Sequence, residues 1–152
     1  MGVAPLDRMT LTDALAQQII AAACEKARAL DIAVVIAVID AGTHLKALRR
    51  MDGAVLGSID IAIKKARTAA LFEVDSEAVW EYAKPGAPAE GLHLSNGILA
   101  AFAGGIALRG AAGEMLGAIG VSGGAVAQDR EVAAAGAAVL QVPEINSEGM
   151  NK

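Results

Sequence analysis

Arg50, Asp52 and Lys65 are the polar side chains that an otherwise apolar stretch has to explain. Arg50 and Asp52 sit on the corner Arg-Met-Asp-Gly (50–53), and Lys65 lies in the helical segment that follows. Two cations and a carboxylate suit an anionic ligand: guanidinium and ammonium groups bind its oxygens, while Asp52 orients one cation. The same residue types also serve proton chemistry on a small organic or aromatic acid. Arg50 would hold the carboxylate, Lys65 would stabilise developing negative charge, and Asp52 or His44 would move a proton. The structural alternative is that Arg50 and Asp52 close a loop and Lys65 lays its stem along the helix. Helical spacing favours a pocket. Asp60, Lys64 and Arg67 share one solvated edge and Ile59, Ile63, Ala66 and Ala70 form a core stripe. Lys65 lines up instead with Ile61, Thr68 and Phe72, a partly apolar flank, so Lys65 rather than Lys64 is expected to face the ligand.

The histidines are His44, after a turn, and His93, after a Pro/Gly-rich loop; each reads as a surface residue or as a ligand. No H-x-x-x-H or C-x-x-C spacing exists, so no metal site is expected. Gly120-Val-Ser-Gly-Gly124 matches a nucleophile elbow, but the histidine of that motif follows its serine, and both histidines here precede Ser122. Gly123 and Gly124 make a tight turn or, at the start of a helix, offer free N–H groups to a carboxylate or phosphate.

The elements that position these residues follow from periodicity. Leu15, Ile19, Ala23, Ala27 and Leu30 mark one face of a helix over 12–30, capped by Thr10 or Thr12. Ala33–Ile39 is a Val/Ile-rich run suited to a strand buried on both faces. Asp40-Ala-Gly-Thr43 predicts a hairpin with Gly42 at positive φ, and 44–51 the returning strand, with a bulge or an interface to explain its mixed faces. Helices are expected over 57–72 and 76–83. A strand follows at 98–102, then strands at 106–109 and 115–122 and a helix over 126–140. Short links between strands imply antiparallel pairing, an α+β layer fold in one domain with its core at about 10–142.

Composition narrows the function classes. Hydrophobic residues make up 55% and charged residues 20% of 152, which describes a folded globular chain. The net charge of −4 and the presence of one Trp, one Tyr and two Phe argue against a nucleic-acid surface or base stacking. Charges interrupt every apolar run short of a membrane span, and the first residues lack the pattern of a signal peptide, so a soluble cytoplasmic protein is expected. Cys24, the single cysteine, reads as a small buried thiol. Much of the apolar share is alanine and glycine, which bury little area each, so a homo-oligomer is expected to complete the core.

The ordered series Val-Ile-Asp-Ala-Gly-Thr-His-Leu (38–45), Arg-Met-Asp-Gly-Ala (50–54), Ser58, Lys-Ala-Arg-Thr-Ala (65–69), Gly-Ala-Ile-Gly-Val-Ser-Gly-Gly (117–124) and Gln128-Asp129 resembles the GlcG/HbpS-like family over most of 12–140. That resemblance implies a profilin-like fold with a central, mainly antiparallel sheet and packed helices, assembled into homo-oligomers. It also implies a small ligand, haem among the candidates, in organic-acid or aromatic metabolism. Under a haem reading His44 or His93 would ligate iron while Arg50 and Lys65 pair with propionates. Ala103-Gly-Gly-Ile-Ala107 replaces the family's Pro-Gly-Gly-x-Pro pattern and so lacks its two prolines.

Overall fold

A computed structural model describes residues 10–141. The element order is α1 (Asp13–Ala29), β1 (Val35–Asp40), β2 (Leu45–Arg50), α2 (Gly57–Phe72), α3 (Ser76–Ala83), β3 (Gly105–Arg109), β4 (Met115–Ser122) and α4 (Val126–Ala137). The strands form one antiparallel sheet in the order β2-β1-β4-β3, the α+β architecture that the sequence implies. Thr12 is the cap of α1, its Oγ1 accepting the Leu15 N–H at 3.1 Å.

Both faces of the sheet are covered, and β1 shows how. Ile36 and Val38 enter a cluster with Ile19, Ile20 and Ala23 of α1 and Val132 and Ala133 of α4. Val35, Ala37 and Ile39 point the other way, toward Ala62, Ala66 and Ala69 of α2. The two layers differ in the size of their side chains. The α1/α4 layer brings Ile19, Ile20 and Val132 to the sheet among smaller residues, whereas α2 rests on Ala118 and Gly120 through its own alanines. A Cβ at Gly120 would collide with the Ala62 carbonyl oxygen, so the helix lies on bare backbone there. Small residues are therefore what this close packing requires.

The sequence-derived picture needs three corrections. No strand forms over 98–102: Asn96, Gly97 and Ile98 all have positive φ, and the Leu99 and Ala100 N–H groups donate to the His93 carbonyl and Thr68 Oγ1 instead of to a ladder. The buried face of α2 comprises Ser58, Ala62, Lys65, Ala66, Thr68, Ala69 and Ala70, so Ala66 and Ala70 lie in the core as expected while Ile59 and Ile63 are only partly buried. Gly42 does not take the left-handed conformation of the hairpin; Thr43 does, at φ +68°. The β1–β2 pairing also shifts register between Val38 and Ile39, the irregularity that the mixed faces of β2 suggest.

A β-branched residue at positive φ is strained by roughly 1–3 kcal/mol, more than the entropy cost of a glycine there. Thr43→Gly should therefore stabilise the protein by about 1 kcal/mol, raising its melting temperature by about 2–4 °C. A lowered melting temperature would show that the Thr43 side chain contributes more than its strain costs.

Candidate functional site

Lys65 is the largest fully buried side chain among the described residues. Its Nζ donates to the Val121 carbonyl at 2.8 Å and to Asp129 Oδ2 at 3.1 Å, and lies 4.8 Å from the centre of the Phe102 ring. An ammonium has three N–H bonds, so a carbonyl, a carboxylate and an aromatic face match its donors in number. Asp129 is equally well held: its Oδ1 accepts the Gly124 N–H at 2.8 Å. Burial pushes Lys65 below its usual 10.5, and the charges of Asp129 and Glu77 oppose that shift. A buried pair of this kind is weak evidence of added stability, but removing one partner strands the other charge at a cost of about 3–5 kcal/mol.

The loop between α3 and β3 closes over this pair. Ser76 Oγ donates to the Phe102 carbonyl at 2.6 Å and accepts the Gly105 N–H at 2.9 Å. Thr68 Oγ1 accepts from Ala100 at 3.0 Å. These bonds hold Phe102 against the amine. On its outer side Phe102 joins Trp80 and Ala101 around an apolar hollow of about 270 Å³. His93 meets Trp80 edge-on, with ring centres 5.4 Å apart, and its buried Nδ1 has no hydrogen-bond partner among the described residues. Glu77 Oε1 accepts from Arg130 at 2.8 Å, while its buried Oε2 has no partner among the described residues.

Arg50 and Asp52 stand elsewhere. With Arg28, Arg49 and Met51 they line a hollow of about 340 Å³ where the end of β2 meets the last turn of α1. Lys65 is not part of that lining. Arg49 Nη1 lies 3.5 Å from Cys24 Sγ, and Cys24 is buried as expected.

A third hollow, of about 520 Å³, opens at the tip of the β1–β2 hairpin, lined by Leu11, Ala41, Met115 and Leu116 together with Thr10, Asp40, Gly42, His44 and Glu114. Asp40 Oδ1 accepts the N–H groups of Gly42 and His44, each at 2.9 Å, and lies 3.2 Å from His44 Nδ1. Burial raises the Asp40 carboxyl, but those amides and the His44 ring outweigh it and hold the group below its usual 3.8. The imidazole lies over Gly42, where a Cβ would come within 2.9 Å of Cε1. With Nδ1 facing the carboxylate and 82% of the side chain exposed, Nε2 is left available. Glu114 is held in place, its Oε2 accepting the Ala112 N–H at 3.0 Å.

The residues singled out from sequence thus fall into separate places. Arg50 and Asp52 share a hollow; Lys65 does not emerge beside them but turns inward to Asp129. Lys64 stays at the surface with Asp60. Gly123 makes a tight turn at φ +137°, with the Ala33 carbonyl 2.7 Å from where its Cβ would be, and the Gly124 N–H is taken by the chain's own Asp129. His44 and His93 lie at different hollows. Sequence reasoning missed Asp129, Phe102 and the Asp40–His44 pair. The Asp-x-x-x-His spacing (40–44) across a predicted turn was a usable signal for the last of these; Asp129 and Phe102 carried none strong enough alone. Among the described residues no helix is long and apolar enough to cross a membrane, and no group of three or more His, Cys, Asp or Glu could hold a metal ion.

Gly104 has φ +127°, and a Cβ there would lie 2.5 Å from the Val121 carbonyl oxygen and 2.7 Å from Lys65 Nζ. Gly104→Ala should displace the amine and destabilise the fold by more than about 2 kcal/mol. Denaturant unfolding measures this, and an unchanged midpoint would contradict the packing of this loop on Lys65.

The sequence matches the family described as haem degrading protein HbpS-like over residues 11–138. It is 37% identical over 125 residues to an uncharacterised 15.0 kDa protein of the dhaT-dhaS intergenic region of Citrobacter freundii, covering 82% of this chain and 87% of that one. The fold superposes on the crystal structure of Klebsiella pneumoniae protein ORFY with a TM-score of 0.84 at 32% identity, covering 95% and 100% of the two chains. A crystal structure of a PduOC–haem complex matches with a TM-score of 0.81 at 34% identity, covering 88% and 97%. With a family match over residues 11–138 and solved structures that superpose at 32% and 34% identity, the chain belongs to the HbpS-like family.

Proposed function

We propose that this protein binds haem or a closely related tetrapyrrole at the hairpin hollow, where His44 Nε2 would hold the iron. The Asp40–His44 pair carries this reading. A histidine that ligates a metal ordinarily directs its other ring nitrogen at a carboxylate or carbonyl, which fixes the tautomer and raises the basicity of the ligating nitrogen. Asp40 stands in that position for His44. Leu11, Ala41, Met115 and Leu116 supply apolar surface for a macrocycle. His93 fits less well, because its buried Nδ1 has no acceptor and its neighbouring hollow is half the size. Neither Arg50 nor Lys65 lines the hairpin hollow, so this placement does not use them as partners for the propionates. Bound haem would supply an iron centre for oxygen or redox chemistry.

The haem complex of PduOC, a chain of the same fold and 34% identity, supports the ligand class. The resemblance to GlcG-type proteins supports placing that ligand in organic-acid or aromatic metabolism. A homo-oligomer is part of the same reading. Leu56, Tyr82, Leu94 and Ile98 are large apolar side chains that one subunit leaves at least half exposed, and partner copies would cover them.

Haem titration followed by the Soret band tests the assignment. His44→Ala should abolish the saturable ligated spectrum, whereas His93→Ala should retain it. Asp40→Asn should weaken binding by about 10–100-fold with His44 still present. Retained ligation in His44→Ala, or its loss in His93→Ala alone, would move the iron to the other histidine.

A further inference from the structure

The hollow at the far end of β2 has a use that the haem reading does not touch. Arg28 comes from the last turn of α1, Arg49 and Arg50 from the end of β2, and Asp52 from the corner that follows. Three guanidinium groups and one carboxylate give a local charge of 3 − 1 = +2 on a chain whose net charge is −4. Among the described residues none of the three arginines has a carboxylate within ion-pair distance; Arg49 has only the Cys24 sulfur, at 3.5 Å. The ion pairs that do form use other cations, including Lys26 on the same helix, with Glu131 at 3.8 Å.

Like charges brought into one concavity repel one another, and the repulsion is relieved when an anion enters. The scaffold beneath is fixed by the backbone. Met51 N–H donates to the Val34 carbonyl at 3.0 Å and Ala54 N–H to the Met51 carbonyl at 3.1 Å. Gly53 turns the corner at φ +87°. The arginines are thus carried by a strand end and a helix end rather than by a free loop, which limits the ordering needed on binding.

We infer that this hollow is a binding site for a small organic dianion, a short dicarboxylate or a compound with equivalent paired oxygens. Guanidinium forks match such oxygens two at a time, and a space of about 340 Å³ suits a compact ligand. Arg28 and Arg50 grip the anion from opposite elements, and the local charge of +2 matches a ligand carrying two negative charges. Lys65 takes no part, being saturated in the interior by Val121 and Asp129.

Calorimetric titration of the full chain at low ionic strength tests this, with malonate, acetate and inorganic phosphate as probes. Malonate should bind in the wild type and bind about tenfold or more weakly in both Arg28→Gln and Arg50→Gln. Arg67→Gln, which removes an exposed guanidinium bonded to the Asn96 carbonyl at 3.4 Å, should leave binding unchanged. His44→Ala should leave it unchanged too, which separates this site from the haem reading. Saturable phosphate binding lost in the same two variants would also support the site and assign it to dianions generally. No malonate or phosphate binding up to about 10 mM, acetate binding as tightly as malonate, or equal losses in Arg67→Gln would overturn the proposal.

Discussion

An ammonium buried without water must have a partner in each direction in which it can donate, and that demand on Lys65 organises the middle of this molecule. Val121 comes from β4, Asp129 from α4 and Phe102 from the loop before β3, so one side chain of α2 ties together three other parts of the chain. Each partner needs local support of its own. Asp129 is held by the Gly124 amide, Phe102 by Ser76, and the backbone around Gly104 must pass too close to Lys65 for any side chain. The close approach of α2 to the sheet depends on the same arrangement, since Ala62, Lys65, Ala66 and Ala69 share its buried face. The abundance of alanine and glycine is thereby explained within one subunit, without calling on a partner to complete the core.

The two proposed ligand sites lie at the ends of the sheet. At one end of the β1–β2 hairpin Asp40 holds His44; at the other, β2 delivers Arg49 and Arg50 to Arg28. The arginine hollow draws on β2, an edge strand with no fully buried residue, which can afford polar residues that the centre of the sheet cannot. An interior locked by an ion pair between α2 and α4 and a rim carrying polar groups are compatible because they occupy different parts of the fold.

Much of the fold was legible. Continuous Val and Ile over Ala33–Ile39 meant a strand covered twice, and the spacing of Leu15, Ile19, Ala23 and Ala27 located α1 within a residue or two. The failures share a physical cause: large apolar side chains were taken as markers of burial. In α2 that rule chose Ile59 and Ile63, whereas close packing selects alanines, and it placed Lys65 beside a pocket when the carboxylate it pairs with lies 64 residues away. Over 98–102 the apolar run suggested a strand, but Leu99 and Ala101 are buried by a loop whose backbone bonds go to Thr68 and His93. Thr43 at positive φ defeats residue preference altogether, because Asp40 and its two amide bonds over-determine the turn. Arg50 with Asp52 was readable because both sit on one short corner; Arg28 was not, because only the tertiary fold brings α1 to it.

That Lys65 belongs to the fold rather than to a ligand can be tested without any ligand present. A double-mutant cycle on the free protein, using Lys65→Met, Asp129→Leu and the pair together, measures the coupling by denaturant unfolding. Each single change should cost about 3 kcal/mol or more by stranding a buried charge, and the double variant should cost at least ~2 kcal/mol less than the sum of the two. Additive costs, or a Lys65→Met protein as stable as the wild type, would contradict the account and return Lys65 to the candidate ligand-binding groups.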